Sequence, residues 1–276
     1  MADQLNQIFF PSSYSELFTS WKRFPEAVPF AGGTGILHEQ GRKILALPPV
    51  IISLERLEEP QRISRTERYL EIGAMAKLSQ VIDLGKLVPK ALSRCLQNIA
   101  GQQLRNMATL GGNICYSGRC LDSAAVIAAL DGQYELRSAQ TSRWVSAARF
   151  LSPTGQNAMN PQELLTRIRV PLDNWDYSSY KKFAGQANQS RTAVFLVKTQ
   201  KNILIDIKVI YKTDLIWRDK NIESKLIGKG LPLNRRIAAD FVEHWDAFLS
   251  GIDSINSLSR KEMTNFIAMN AYNLSE

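Results

Sequence analysis

Apolar residues recur at helical spacing early in the chain. Tyr14, Leu17, Phe18 and Trp21 fall on one face of residues 13–24, with Ser12 or Ser13 placed to cap the N-terminus. Shorter runs follow. Residues 28–31 read as a strand ending in Gly32-Gly33, and residues 43–47 and 50–53 as two more, parted by Pro48-Pro49. Residues 69–72 continue as strand, 77–84 and 89–99 as helices, and 121–130 as a helix of small apolar residues suited to close packing. Residues 133–137 and 143–146 again read as strands. Strands alternating with helices indicate α/β organisation. Around residues 171–179 the composition turns to Asp, Asn, Ser and aromatics, which reads as a linker. Beyond it, residues 180–183, 193–199 and 203–211 have the spacing of antiparallel strands, and two helices follow at 235–249 and 260–272. Strands succeeded by helices predict a separate α+β unit. The aromatic stripe of Phe241, Trp245 and Phe248 has helical spacing, and it reads as core, as do the five tryptophans as a group.

Composition narrows the class. The chain has 276 residues, 45% apolar and 22% charged, which fits a globular protein with a sizeable core and excludes disorder as the main state. Lys plus Arg total 34 against 26 Asp plus Glu, a formal charge of +8 that suits an anionic cofactor or acidic partner. The basic residues never run longer than two and accompany no nucleic-acid motif, so nucleic acid is not expected. Three cysteines point to a reducing compartment. The N-terminal segment lacks the pattern of a signal peptide, and no apolar run is long enough to span a membrane. A cytoplasmic location is the expectation.

Two glycine-bearing turns carry the candidate chemistry. One is Phe30-Ala-Gly-Gly-Thr-Gly-Ile-Leu37 and the other Thr109-Leu-Gly-Gly-Asn-Ile114. Glycine permits positive φ and lets backbone N–H groups approach a ligand with no β-carbon in the way. Successive N–H groups in such a turn form a concavity suited to phosphate. Either turn taken alone reads more readily as a mere tight turn. Neither is a phosphate-binding loop ending in Gly-Lys-Ser/Thr, and the first lacks the order of a dinucleotide fingerprint. Two such loops could still clasp one long anionic ligand.

The segment Ile99-Ala-Gly-Gln-Gln-Leu-Arg-Asn-Met-Ala-Thr-Leu-Gly-Gly-Asn-Ile114 resembles the second FAD-binding segment of the molybdenum hydroxylase flavoproteins, whose members include the medium subunits of bacterial carbon monoxide and xanthine dehydrogenases. Ala31-Gly-Gly-Thr34 resembles that family's first FAD loop, Glu71-Ile-Gly-Ala74 a strand of it, Leu164-Leu-Thr-Arg-Ile-Arg-Val-Pro171 a boundary, and Tyr180-Lys-Lys-Phe183 the opening of its C-terminal domain. The resemblance implies an α+β fold of the PCMH-type FAD-binding kind. Two N-terminal α/β subdomains, 1–56 and 57–172, would clasp FAD, and residues 173–276 would form a C-terminal α+β domain with a small antiparallel sheet and helices.

By the same resemblance, Phe30, Ala31, Gly32, Gly33, Thr34 and Gly35 would hold the pyrophosphate and adjoining groups together with Thr109, Leu110, Gly111, Gly112 and Asn113. Ile99 and Leu165 would lie against the cofactor. Asp122 matches an FAD-binding aspartate; its plainer reading is a helix N-cap. Lys182 matches a lysine near the flavin ring, where an ammonium would stabilise the charge gathered on reduction. Its plainer reading is an exposed strand lysine, with Lys181 as a register alternative.

The chain also departs from the family. Gly35 stands where many relatives carry Asp, Glu or Ser, and Gln186 and Ser190 replace an expected Arg and Asp. Cys115-Tyr-Ser-Gly-Arg-Cys120 is unlike the usual small-residue run; its two cysteines lack the partners of an iron–sulfur motif and read as buried small hydrophobes. His38 and His244 have no second ligand nearby and read as structural. The implied function is an FAD-binding electron-transfer subunit with no catalytic side chain or metal of its own. It would take electrons from an iron–sulfur subunit, beside a large molybdopterin subunit, and pass them to NAD or another acceptor. The alternatives are a degenerate or scaffolding subunit with weak or no FAD binding, and a stand-alone flavin oxidoreductase.

Overall fold

Among the described residues the strands form three sheets, and helices are set against each. The computed structural model describes residues 7–40, 47–116, 122–150, 158–183 and 190–275. The strand expected at 43–47 lies almost wholly outside them.

The first sheet is parallel, with β1 (Gln7–Phe9), β2 (Val28–Phe30) and β3 (Val50–Ser53) in the order β1-β3-β2. Helix α1 (Tyr14–Arg23) joins β1 to β2, and α2 (Thr34–Gln40) follows β2. Ser13 caps α1 by accepting from the Glu16 N–H at 3.3 Å, while Glu16 accepts from Ser12 in return. The helical stripe seen in the sequence is buried: Leu17, Phe18 and Trp21 pack with Val50, Ile52 and Leu54.

The second sheet is antiparallel. Its strands are β4 (Ile63–Arg65), β5 (Tyr69–Gly73), β6 (Gln133–Arg137), β7 (Ser142–Ser146) and β8 (Leu164–Pro171), in the order β4-β5-β8-β6-β7. Helices α3 (Leu78–Asp83), α4 (Lys90–Gln97), α5 (Gln102–Met107), α6 (Leu110–Ile114) and α7 (Asp122–Ala129) are inserted between β5 and β6, and α8 (Ala147–Phe150) follows β7. Alternation sorts the two faces. Leu70, Ile72, Tyr134, Leu136, Ile168 and Val170 enter the core. On the opposite face Glu71 pairs with Arg169 at 2.7 Å and with Arg167 at 3.4 Å. Such half-exposed pairs contribute little individually, on the order of 0–1 kcal/mol.

The third sheet, also antiparallel, runs β12-β11-β10-β9, with β9 (Tyr177–Phe183), β10 (Arg191–Gln200), β11 (Ile203–Lys212) and β12 (Ile216–Trp217). Helix α9 (Lys220–Ser224) and the long pair α10 (Arg235–Ser250) and α11 (Ser257–Asn273) complete the chain. Strand β10 is buried on both faces. Ala193, Phe195 and Val197 face the α10–α11 layer around Trp245 and Phe266, whereas Val194 and Leu196 join the core of the second sheet. No helix among the described residues is long and apolar enough to cross a membrane.

Three sequence expectations are corrected. The linker foreseen at 171–179 shrinks to 172–176, because β8 and β9 extend into it. The glycine segment at 109–114 is a short helix rather than an open turn. Three tryptophans are not fully buried: Trp144, Trp175 and Trp217 sit half-exposed, and the Arg169 guanidinium lies 4.1 Å over the Trp144 ring. A strand at the very start, β1, was not foreseen, being only three residues long.

Candidate functional site

The first glycine turn leaves β2 at Phe30 and enters α2 at Thr34. Gly33 has φ +68°, in the left-handed region, and a β-carbon there would stand 2.5 Å from the Phe30 ring. A β-carbon on Gly32 would overlap the carbonyl oxygen of Met107, so the turn is pressed against the end of α5. No described residue accepts a hydrogen bond from the backbone N–H groups of Gly32 through Ile36. Among the described residues these donors are left without an acceptor.

The second turn is built differently. Thr109 caps α6, its Oγ1 accepting from the Gly112 N–H at 3.1 Å. Leu110 and Gly111 donate to Ala76 and Ala74, and Asn113 to the Thr109 carbonyl. Its backbone donors are thus engaged, and the open phosphate concavity expected for both turns is confined to the first. What glycine supplies here is approach. Gly111 packs onto Ala74, where a β-carbon would meet Ala74 Cβ at 2.6 Å, and Gly112 is exposed, where a β-carbon would come within 4.0 Å of Ala31 Cβ. The two glycine turns are therefore neighbours, although about eighty residues separate them in sequence.

Beside the second turn is a charged corner. Asp122, 3% exposed, is the first described residue of α7. Oδ1 accepts from Ser190 Oγ at 2.8 Å, Thr192 Oγ1 at 2.7 Å and Lys212 Nζ at 3.2 Å, and Oδ2 lies 3.0 Å from Lys182 Nζ. Burial pushes this carboxyl up, but Lys212, then Lys182 and the Thr192 hydroxyl, outweigh it and hold it at about 2. Lys182 also donates to the Asn98 carbonyl at 3.2 Å, next to Ile99. Ser123 donates to Asn113 Oδ1 at 2.5 Å, tying α7 to the second glycine turn. Lys181, the register alternative, instead lies 5.3 Å over the Phe183 ring.

The 97–100 turn in this corner is fastened by Arg105. Its Nη1 lies 3.1 Å from the carbonyls of Gln97 and Ile99 and 2.6 Å from that of Ala100, whose φ is +48°. The structure thus gathers Ile99, Asn113, Asp122 and Lys182 at one end of the paired glycine turns. Leu165 is set apart from this surface: it is buried in the core with Leu110 and Ile114, beneath the second turn.

Sequence reasoning missed Thr192, Lys212 and Arg105. A lysine closing an apolar strand, on the same face as Lys208, was the one available signal for Lys212. Cys115 is half-buried, its thiol donating to Met159 Sδ at 3.8 Å and pushed up by burial to about 12; Cys120 and Gln186 lie outside the described residues, as does the His38 side chain. A separate hollow of ≈ 430 Å³, lined by Tyr14, Phe18, Lys22 and Arg137 among others, shares no residue with the glycine turns. No group of described residues could hold a metal ion.

Residues 4–173 match the FAD binding domain in molybdopterin dehydrogenase. The chain belongs to this family. It is an FAD-binding member of the molybdenum hydroxylase group, a family of oxidoreductases. Among its relatives is the glyceraldehyde dehydrogenase medium chain of Sulfolobus acidocaldarius, 29% identical over 209 residues that make up 74% of each protein. Human aldehyde oxidase is 30% identical over 204 residues, which cover 69% of this chain but only 15% of that much longer protein. Quinoline 2-oxidoreductase from Pseudomonas putida 86 shares the fold, with a TM-score of 0.81, 20% identity, and 98% and 95% of the two chains covered.

Proposed function

We propose that this family member is an electron-transfer unit whose FAD lies along the paired glycine turns. In this reading it receives electrons from the iron–sulfur clusters of a partner subunit, in a complex with a molybdopterin-binding subunit. It passes them to NAD or another acceptor. The observation that carries the reading is the juxtaposition of Gly112 with Ala31, with open N–H groups on one side and the Asp122–Lys182 pair on the other.

The residues present fit the cofactor. The N–H groups from Gly32 to Ile36 would receive its pyrophosphate, where a β-carbon on Gly32 or Gly33 has no room. The exposed face of Gly112 and the Thr109–Asn113 helix would border the ribityl and ribose portion. Ile99 offers an apolar surface to the ring, Leu165 supports the turn from below, and Lys182 presents an ammonium held in place by Asp122 and Asn98. Bound flavin supplies the coupling between one-electron carriers and a two-electron acceptor. The chain itself supplies orientation, a fixed local charge and exclusion of water.

The test is the visible absorption spectrum of the purified chain after saturation with FAD and desalting. Retained flavin bands, lost on Gly32→Ala, are expected. A colourless protein, both alone and after mixing with its iron–sulfur and molybdenum partners, would overturn the reading. Reduction of the loaded complex by NADH, followed by absorbance, tests the proposed acceptor.

A further inference from the structure

Lys212 stands behind the Asp122–Lys182 pair and has no part in the reading above. It is 2% exposed, and its ammonium lies 2.6 Å from the Ser190 carbonyl, 3.0 Å from Ser190 Oγ and 3.2 Å from Asp122 Oδ1. One carboxylate therefore faces two ammonium groups, one from β9 and one from β11. Among the described residues neither lysine has a second carboxylate partner. The neighbouring thiol of Cys95 and hydroxyl of Tyr180 are both pushed up by burial and stay neutral. A single lysine would have neutralised Asp122. The second leaves the cluster with one net positive charge in a largely dry corner, where charge is expensive to bury and acts strongly on what lies nearby.

The surplus charge has a direction. Lys182 is the member that opens outward, its side chain one-third exposed and bonded to the carbonyl beside Ile99. Ser190 is consistent with this. With a serine at that position, Asp122 is the one carboxylate of the cluster among the described residues.

We propose that Lys212 is a charge-setting, positioning residue of the flavin cleft: it keeps the Asp122–Lys182–Lys212 cluster net positive, so the cleft binds two-electron-reduced FAD more tightly than oxidised FAD. The ring takes up two electrons and one proton from solvent on reduction, and so gains one negative charge. The inference rests on the FAD reading above.

The experiment is an anaerobic titration of the full chain with oxidised FAD and with FAD reduced by excess dithionite. Wild type is expected to bind the reduced form more tightly. Lys212→Met and Lys212→Gln are expected to lower that preference about tenfold, equivalent to about 30 mV for a two-electron couple. Ser190→Asp, which adds a carboxylate and removes no lysine, is expected to lower it as well, which a merely structural role for Lys212 would not do. Circular dichroism establishes that each variant is folded. An unchanged preference in folded variants, or a wild type that binds the oxidised form as tightly as the reduced, overturns the proposal. Should the Lys212 variants fail to fold, the wild-type preference and Ser190→Asp decide it. Absence of binding in both redox states of wild type would instead overturn the FAD reading itself, and this inference with it.

Discussion

The ring of Tyr116 lies over Gly35, with Cδ2 2.5 Å from the place where a β-carbon would stand. Two departures from the family pattern, the absent side chain at 35 and the aromatic in the loop after the second glycine turn, are thus one arrangement. The ring fills the space that a side chain at position 35 would need. Gly35→Asp is expected to weaken FAD binding about tenfold, and Tyr116→Ala in the same chain to recover most of it. Residues in contact typically couple by roughly 0.5–3 kcal/mol. Flavin fluorescence quenching across the four proteins measures that coupling, and simple additivity would refute it.

The adjacent glycines of the second turn should respond oppositely to alanine. At Gly111 the new methyl meets Ala74 Cβ at 2.6 Å and the Ala74 carbonyl oxygen at 2.7 Å, in a strand-to-helix contact with no slack. A loss of about 1–3 kcal/mol in unfolding free energy is expected, as for an overpacked core. At Gly112 the close neighbour is the Thr109 hydroxyl at 2.8 Å, on an otherwise exposed face. Gly112→Ala should change stability by less than about 1 kcal/mol while reducing flavin retention. Urea denaturation and the flavin spectrum separate the two effects.

Asp122 makes stability depend on acid. Its carboxyl titrates at about 2 when folded, against an ordinary value of 3.8, so the folded state binds its proton less readily than the unfolded chain does. The stabilisation is complete above the unfolded value and disappears as pH falls through about 2. It amounts to about 2–3 kcal/mol, at ~1.4 kcal/mol per unit. Asp122→Asn is expected to flatten the acid limb between about pH 4 and pH 2. At neutral pH it should cost about 3–5 kcal/mol, because the buried Lys212 is left without its counter-charge and the partly exposed Lys182 loses its partner. Thermal melts over a pH series would show both; a limb as steep as that of wild type would contradict the assignment.

Arg105 should affect both the cofactor and the fold. Its three carbonyl contacts hold the turn that carries Ile99 and the Lys182 acceptor, and it is itself half-buried. Arg105→Met is expected to raise the FAD dissociation constant about tenfold, with roughly 1–2 kcal/mol lost in stability. Hydrogen exchange at residues 98–101 should quicken in step. Unchanged exchange there would rule out the turn as the route of the effect.

Much of this architecture was legible because period and burial agree. The stripe from Tyr14 to Trp21, the strands at 133–137 and 193–199, and the aromatic face of α10 all came from spacing alone. The segment from Ile99 to Ile114 was legible as a motif but not as a shape. Short helices such as α6 are held by contacts to Ala74 and Ala76 far back in the chain, and local propensity carries no trace of those. The same limit hid the charged corner. Asp122, Lys182, Thr192 and Lys212 come from α7, β9, β10 and β11, and only the packing of the third sheet against α7 brings them together. Resemblance supplied the first two. The others belong to an arrangement that no local pattern encodes.

The double-sided burial of β10 has a consequence for biosynthesis. Val194, Leu196 and Ile210 complete the same hydrophobic core that Leu70 and Ile168 begin, although the family match stops at residue 173. A nascent chain ending there would present α4 and α7 without their cover and Asp122 without either lysine. The core and the Asp122 pairs are therefore complete only once residue 212 has left the ribosome, which on the proposed FAD reading makes cofactor capture a late event in the life of the polypeptide.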